Sequence, residues 1–296
     1  MIRLLQFGTS GQVARAMIAV ADGRVSLTAL SRADCNLERP GAVARTLSDL
    51  PQPDIVVNAA AYTAVDRAER DEALAFRINA EAVREMAQAC AERNIPLIQI
   101  STDYVFDGEK AQPYREEDAV NPLNAYGRSK LAGETALREA WDAHVILRTS
   151  WVYSAWGTNF VRTMLRLGAE RDELRVVCDQ IGSPTSAFQI ADAILTVATA
   201  LRGAGPQDHY GTFHFAADGV TSWAGFAQQI FAGVADWLPI RARVIPITAS
   251  EYVSPAKRPG NSRLDCGKFR AHFGMVPGPW TNALSVVLEE IKRGAT

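Results

Sequence analysis

The chain has 296 residues, 48% of them hydrophobic, and its 31 basic and 33 acidic residues nearly cancel. This composition predicts a globular protein of one large domain or two modest ones, and it argues against nucleic-acid or membrane-surface binding through bulk charge. No apolar run approaches the roughly 18 residues of a membrane span, and the first apolar run is too short for a signal peptide, so we expect a soluble, cytoplasmic protein.

The first half of the chain alternates strand-like and helix-like segments. The predicted strands are Ile2–Phe7, Val25–Leu30, Asp54–Asn58, Ile95–Ile100 and Val145–Leu147. The predicted helices are Gln12–Ala21, Gly41–Leu50, Glu72–Arg93 and Ser129–Ala140. This alternation is typical of right-handed βαβ units, so we predict an α/β fold with a Rossmann-type, doubly wound parallel sheet.

After about Arg148 the alternation is less regular. Helix patterns at Asn159–Glu170 and Ala187–Leu201 enclose a short strand at Leu174–Val177, and a glycine-rich connector at 203–206 leads into a proline-rich segment. We predict an NAD(P)-binding Rossmann domain formed by residues 1–150 plus about 180–205. A smaller, mixed α/β substrate domain would comprise about 151–180 and 206–296, with the ligand in the cleft between the two.

The cysteines and histidines are scattered along the chain. Cys35, Cys90, Cys178 and Cys266 form no CxxC pair, which argues against a zinc site and suits unpaired thiols in a reducing compartment. The histidines also do not cluster, so we interpret them as structural and predict no metal site. They are His144, His209, His214 and His272.

A glycine-containing turn follows the first strand directly. Gly8 would allow the tight turn, and Gly11 would let a dinucleotide pyrophosphate approach the N-terminus of the first helix. Ala14, in the third glycine position of such motifs, still permits close packing of helix on sheet. The alternative is a purely structural turn, but its place in a βαβ pattern favours cofactor binding.

The type of dinucleotide is predicted from the end of the second strand. An acid there would bind the ribose of NAD, but this chain has Ser31 and Arg32, which suit the 2′-phosphate of NADP. Asp34 lies close enough to compete, and the alternative interpretation of Arg32 is a surface charge. We therefore predict NADPH, with NADH left open.

Tyr126 and Lys130 are four residues apart and would share one face of a helix. The lysine charge would favour phenolate and lower the pKa of the tyrosine, as general acid–base catalysis requires. Thr102, at the end of the fourth strand, would hydrogen-bond a substrate carbonyl oxygen. An exposed tyrosine beside a solvated lysine is the alternative, and it is the combination with Thr102 that favours a catalytic site.

These motifs together resemble those of the extended short-chain dehydrogenase/reductases. Within that superfamily, several stretches are similar to the dTDP-4-dehydrorhamnose reductase family, in the family's order and over nearly the full length. They are Asn58–Glu69, Ser101–Phe106, Asn124–Glu134, Arg148–Tyr153 and Arg258–Leu264. The departures are Ala14, Asn36 (where the family often has an acid near the adenine) and the Ser31-Arg32 pair. They bear on the cofactor and not on the reaction.

The resemblance implies hydride transfer from the nicotinamide to C4 of dTDP-4-dehydro-β-L-rhamnose, which gives dTDP-β-L-rhamnose for cell-surface polysaccharide biosynthesis. Tyr126 would protonate the C4 oxygen and Thr102 would hydrogen-bond it. Lys130 would bind the nicotinamide ribose and keep Tyr126 acidic.

The resemblance also implies the lining of two binding sites. The cofactor residues would be Gly8, Ser10, Gly11, Gln12, Val13, Ser31, Arg32, Asn36, Leu37, Ala59, Ala60, Ala61, Tyr126 and Lys130. The substrate residues would be Val65, Thr102, Asp103, Tyr104, Phe106, Trp151, Arg258 and Asn261, with Gln180, Pro184 and Thr185 near the dTDP half. Arg258 would bind the diphosphate. For each of these positions the alternative is core packing or a surface loop.

Two further properties and two rival functions remain open at this stage. Some members of the family form dimers through magnesium bound by acidic residues, and Glu289 and Glu290 would be the candidates here; we do not claim the metal, and a homodimer is left open. One rival is a 4-ketoreductase for another dTDP-deoxysugar. The other is a non-catalytic regulatory subunit resembling that of methionine adenosyltransferase, against which the intact Thr102, Tyr126 and Lys130 set argues.

Overall fold

The structure, a computed structural model, describes residues 1–21, 23, 25–203 and 209–295, so most of the predicted connector at 203–206 lies outside the described residues. The described strands are β1 (Ile2–Phe7), β2 (Val25–Leu30), β3 (Ile55–Asn58), β4 (Leu97–Thr102), β5 (His144–Thr149), β6 (Val152–Tyr153), β7 (Glu173–Val177), β8 (Ile181–Gly182), β9 (Thr185–Ser186), β10 (Gly211–His214), β11 (Thr221–Ser222) and β12 (Arg243–Ile247).

The α-helices are likewise numbered in chain order. They are α1 (Gln12–Val20), α2 (Ala42–Asp49), α3 (Val65–Ala68), α4 (Glu72–Phe76), α5 (Ala82–Glu92), α6 (Ala125–Ala140), α7 (Phe160–Glu170), α8 (Ala187–Leu201), α9 (Trp223–Ala232), α10 (Gly267–Phe273) and α11 (Trp280–Ala295). None of these helices is both long and apolar enough to cross a membrane.

Six strands form one parallel sheet in the order β10-β5-β4-β3-β1-β2, as the predicted Rossmann-type fold requires. From β1 the chain turns outward to β2 and then returns to β3 on the other side of β1. The order of the strands reverses there, and ligands of open α/β sheets bind at the carboxyl ends of the strands beside such a point. The register brings Phe7 of β1 level with Asn58 of β3, so both strands end at the same edge.

The central strands β3, β4 and β5 are buried on both faces because helices cover each side. Ile55 and Val57 of β3 point into one core, with α1 and α8, while Val56 between them points into the other, with α2, α5 and α6. This alternation follows from the two-residue period of a strand. The apolar run that predicted β3 is therefore the mark of a fully covered parallel strand. Helix α8, predicted to return to the sheet, does so, and Ser186 and Gln189 cap its N-terminus reciprocally.

Two predicted helices have different boundaries in the structure. The predicted helix Ser129–Ala140 begins earlier, at Ala125, because the Asn124 side chain accepts a hydrogen bond from the Gly127 N–H at 2.8 Å and caps it. The predicted helix Glu72–Arg93 is interrupted by a π-helical turn at Arg77–Glu81, between α4 and α5. A Cβ at Gly133 of α6 would overlap the carbonyl of Asn79 in this turn, so the glycine lets the two helices meet closely.

The C-terminal half builds a second body around α7, α9 and α11. Its core contains Trp151, Phe226 and Trp280, and the short parallel pair β7–β12 packs beside it. The boundary at residue 206 does not follow the sheet, however. Strand β10 pairs with β5 in the main sheet, and Phe269 of α10 packs into the core beneath it. A strand of four residues after a glycine-rich connector carries too little pattern to be predicted from sequence.

A buried ion pair joins α6 to the sheet. Arg148 of β5 binds both carboxylate oxygens of Glu134 on α6, at 2.9 Å from Nε and 2.7 Å from Nη2, and the two side chains are 2% and 1% exposed. The Ser101 hydroxyl of β4 donates to the same carboxylate at 2.6 Å. Bidentate geometry and the added hydrogen bond offset the cost of burying both charges.

We predict that Arg148→Met lowers the free energy of unfolding by about 3–5 kcal/mol, because it removes the buried bidentate partner of Glu134 and leaves that carboxylate with only the partly exposed Arg138. Urea denaturation followed by circular dichroism measures this. Arg243→Ala is the control, since Arg243 pairs with Glu173 on the surface and should change stability little. An Arg148→Met protein as stable as the control would contradict the argument.

Candidate active site

A cavity of about 750 Å³ lies at the carboxyl edge of the sheet, where β1 to β5 end and the second body faces them. All fourteen predicted cofactor residues line it, as do five of the predicted substrate residues. Those five are Val65, Thr102, Asp103, Tyr104 and Trp151.

The glycine turn fits a dinucleotide pyrophosphate. Gly8 has φ +105°, and a Cβ there would come within 3.3 Å of the Ala59 backbone, so the turn and the small-residue run after β3 are closely packed. Gly11 is the N-cap of α1 and brings no side chain to the N–H groups of the first turn. These donors and the positive end of the helix dipole are therefore free to bind an anion.

The segment after β2 places an acid that was not predicted, Glu38, beside Arg32. The Arg32 guanidinium is 73% exposed and pairs with Glu38 at 2.7 Å, and both residues line the cavity. Ser31 donates its N–H and its hydroxyl to Asp34, at 2.8 and 2.7 Å, and these bonds lower the pKa of Asp34. Asp34 itself is absent from the cavity lining. Arg32 is thus the cation at this end of the cavity, and a phosphate would compete with Glu38 for its guanidinium.

Thr102, Tyr126 and Lys130 all line this cavity. Lys130 Nζ donates to the Ile100 carbonyl at 2.7 Å, and the Thr102 hydroxyl lies near enough to the Tyr126 phenol to lower its pKa. The Tyr104 ring packs edge-on against Tyr126, with centroids 5.6 Å apart. A hydroxyl, a phenol and an ammonium therefore converge on one side of the cavity, as the sequence predicts.

The electrostatics differ from the prediction for Tyr126. Burial raises the pKa of its phenol, the charge of Asp103 raises it further, and the Thr102 hydrogen bond only partly opposes this. The expected lowering by Lys130 is wrong for this structure, because the ammonium is directed to the Ile100 carbonyl. Burial also lowers the pKa of Lys130 to about 8. At neutral pH Tyr126 is therefore protonated and Lys130 mostly charged, a state suited to donating a proton.

Two stacked indoles, Trp151 and Trp223, form an aromatic wall in the lining of the cavity. Trp151 adopts φ +48°, and its ring stacks on Trp223 with centroids 3.5 Å apart and planes 9° apart. The ring lies against Gly182, where a Cβ would come within 2.6 Å of it. Trp223 was not predicted, because 72 residues separate it from Trp151 and only the packing of α9 brings the rings together.

Three predicted substrate residues lie outside the cavity lining. Phe106 is fully buried, stacked on Tyr114 at 4.2 Å, because the segment after β4 turns into the core there. The Asn261 amide donates to the carbonyls of Lys110 and Gln112, at 2.6 and 3.0 Å, and so joins two loops. Arg258 binds Asp66 at 2.9 Å, beside Val65 of the lining. The segment residues Gln180, Pro184 and Thr185 also lie outside it.

Gln12 links the cofactor turn to the second body. Its Oε1 accepts hydrogen bonds from Ser154 Oγ at 2.8 Å and Asn159 Nδ2 at 2.9 Å, and its Nε2 donates to the Val152 carbonyl at 3.3 Å. The side chain predicted to bind cofactor is thus engaged within the protein, and its backbone is what remains for a ligand. The Gln12 side chain holds the segment that follows Trp151 against the glycine turn.

Asn79, in the π-helical turn, similarly fixes the other side of the site. Its Oδ1 accepts from the Tyr62 N–H at 2.8 Å, and its Nδ2 donates to the Tyr62 carbonyl at 3.0 Å and to Ser129 Oγ at 2.9 Å. It therefore ties the loop after β3 to the catalytic helix, next to Lys130. Nothing in the local sequence marks this residue, because all its partners are distant.

Over the described parts of the chain, no group of three or more His, Cys, Asp and Glu side chains is arranged to hold a metal ion.

The parallel sheet, the glycine turn and the cavity they share are those of a Rossmann-type, NAD(P)H-dependent oxidoreductase. The family model described as the RmlD substrate binding domain matches residues 2–293. A dTDP-4-dehydrorhamnose reductase of Sinorhizobium fredii is 45% identical over 94% of each chain, and that of Escherichia coli K12 is 41% identical over 98% of each.

Solved structures agree with these relatives. A dTDP-4-dehydrorhamnose reductase from Clostridium acetobutylicum superposes with a TM-score of 0.91 at 36% identity, over 98% of this chain and 100% of that one. The Bacillus anthracis reductase, solved in complex with NADP, gives 0.89 at 33% identity, over 98% and 99%. The chain belongs to the dTDP-4-dehydrorhamnose reductase family.

Proposed function

We propose that the protein is an NAD(P)H-dependent oxidoreductase that reduces the C4 keto group of dTDP-4-dehydro-β-L-rhamnose to give dTDP-β-L-rhamnose. The observation that carries this is the convergence of Thr102, Tyr126 and Lys130 in the same cavity as an uncapped helix N-terminus. The substrate is supported by the full-length similarity to relatives named for this reaction.

The bound dinucleotide supplies a hydride to C4. Hydride addition makes the C4 oxygen basic, and the buried phenol of Tyr126, protonated at neutral pH, gives its proton to that oxygen. The Thr102 hydroxyl orients the same oxygen. Lys130 would hold the ribose of the dinucleotide, and solvent would return a proton to the phenolate left on Tyr126.

The two halves of the chain divide the ligands in this proposal. Residues 1–150 with about 180–205, together with β10 and α10, form the part that would bind the dinucleotide, and about 151–180 with the rest of the C-terminal segment would bind the nucleotide sugar. The Trp151–Trp223 wall would pack against the sugar ring, since stacked indoles offer a flat apolar face. Arg258 would bind the diphosphate only by exchanging its Asp66 partner for a phosphate oxygen. A cytoplasmic location and a homodimer remain predictions.

The function is tested by steady-state oxidation of NADPH with a panel of dTDP-4-keto sugars. We expect the highest kcat/KM for dTDP-4-dehydrorhamnose, because the full-length relatives are named for the reduction of this compound. If the enzyme does not reduce this compound but turns over another sugar well, it is a 4-ketoreductase for that other dTDP-deoxysugar. Binding of nucleotide without turnover of any sugar would favour the regulatory-subunit alternative.

Tyr126→Phe should lower kcat by about 10²–10⁴-fold, because it removes the proton donor and keeps the ring. The Kd for NADPH, measured by fluorescence titration, should stay near the wild-type value. Tyr210→Phe is the control, since Tyr210 lies outside the cavity lining. Turnover by Tyr126→Phe at the wild-type rate would refute the role of Tyr126.

We also propose that NADPH is preferred over NADH, on the basis of the exposed Arg32 guanidinium at the end of β2. Arg32→Ala should raise KM for NADPH by about tenfold or more, as expected for loss of a hydrogen bond to a charged group, with little effect on NADH. Arg39→Ala, a neighbouring exposed arginine outside the lining, is the control. A wild-type enzyme that uses NADH equally well would assign the choice to Asp34 or to backbone contacts.

A further inference from the structure

The carboxyl group of Asp103 is in an unusual position for an ionised acid. Its side chain is 2% exposed, and its Oδ1 accepts a hydrogen bond from Thr102 Oγ1 at 3.0 Å. Its Oδ2 is buried and has no hydrogen-bond partner, and among the described residues no Lys, Arg or His forms an ion pair with it. A buried carboxylate with a bare oxygen and no cation is costly, and protonation removes that cost.

The groups that face Asp103 do not supply the missing positive charge. They are Thr102 at the end of β4, the Tyr104 phenol, the Tyr126 phenol of α6, and the Ser262 hydroxyl from the segment after β12. Burial raises the pKa of Asp103 to about 6, against the smaller effect of the Ser262 and Thr102 hydroxyls. The dinucleotide and the nucleotide sugar are both anionic, and their binding in the same cavity would raise the pKa of Asp103 further.

The state of Asp103 determines what Thr102 can do. A threonine hydroxyl has one proton to donate and two lone pairs to accept. Thr102 Oγ1 already accepts from the Tyr104 N–H at 3.2 Å, and beside an ionised Asp103 its single proton is directed to the carboxylate. It then has no proton for the C4 oxygen. Beside a neutral carboxylic acid the hydrogen bond reverses, and the Thr102 proton becomes available.

We propose that Asp103 acts as a neutral carboxylic acid that donates its proton in a hydrogen bond to Thr102 Oγ1, so that Thr102 can donate to the C4 oxygen of the substrate. The inference rests on the proposed function and deepens it. Asp103 is a positioning residue in this role: it keeps its proton throughout, and the proton that is transferred to C4 oxygen comes from Tyr126. The three bonds at Thr102 Oγ1, two accepted and one donated, use its full capacity.

The decisive comparison is between Asp103→Asn and Asp103→Leu. The asparagine amide is a permanent donor of nearly the same shape, so Asp103→Asn should keep kcat within about tenfold of wild type. Asp103→Leu offers no donor and should lose about 10²–10³-fold, the size of effect seen when one oxyanion donor is removed. Both variants should bind NADPH normally, which verifies that the site is folded.

The pH profile separates this role from a purely structural one. Wild-type kcat should fall as rising pH ionises Asp103 in the complex, because the acid form is the active one and exists below its pKa. Asp103→Asn should lose that decline. Its kcat should fall only at the higher pH at which Lys130 loses its proton. Asp107→Asn is the matched control, an acid-to-amide change on the same segment outside the cavity lining, and should leave the profile unchanged.

A measurement without turnover completes the test. In the wild-type protein with NADP and dTDP bound at neutral pH, difference infrared spectroscopy against Asp103→Asn should reveal the C=O stretch of one protonated carboxyl group. Absence of this band, or an Asp103→Asn protein as inactive as Asp103→Leu, would overturn the inference. If wild-type protein reduces no dTDP-4-keto sugar, the proposed function fails separately, while the infrared band still reports the state of Asp103.

Discussion

The position of the catalytic groups depends on the buried Glu134–Arg148 ion pair. Glu134 lies one helical turn after Lys130 on α6, and its carboxylate also accepts from Ser101, the residue before Thr102 on β4. One carboxylate thus sets the distance between the catalytic helix and the strand that ends in the site. A buried pair of this kind contributes little net stability compared with apolar packing, so its value here is geometric.

The ligand cavity belongs to both bodies of the molecule, and single side chains connect them. Gln12 joins the cofactor turn to the segment after Trp151, and Asn79 joins the loop after β3 to α6. In both cases an amide satisfies backbone groups or side chains that would otherwise be buried without partners. The consequence is that cofactor turn, catalytic helix and aromatic wall have fixed relative positions before any ligand binds.

Burial, more than pairing of opposite charges, controls the protonation states in this site. It keeps Tyr126 protonated, lowers the pKa of Lys130 to about 8 and raises that of Asp103 to about 6. Each shift favours the neutral form of the group. For an enzyme that must give a proton to a newly formed alkoxide, a dry site that keeps the Tyr126 phenol protonated is well suited to the reductive direction.

The sequence alone determined the fold class and the catalytic set, because both depend on short-range patterns. Apolar runs between helical periods predict a covered parallel sheet, and strands that end at one edge bring Thr102 and the Tyr126 helix together. Only the tertiary structure decided the features that need distant partners. They are the stack of Trp151 on Trp223, the sheet edge formed by β10, and the packing of Phe106 on Tyr114 outside the cavity. Protonation states fall in the same group, since burial is a property of the packed chain and not of a residue's neighbours in sequence.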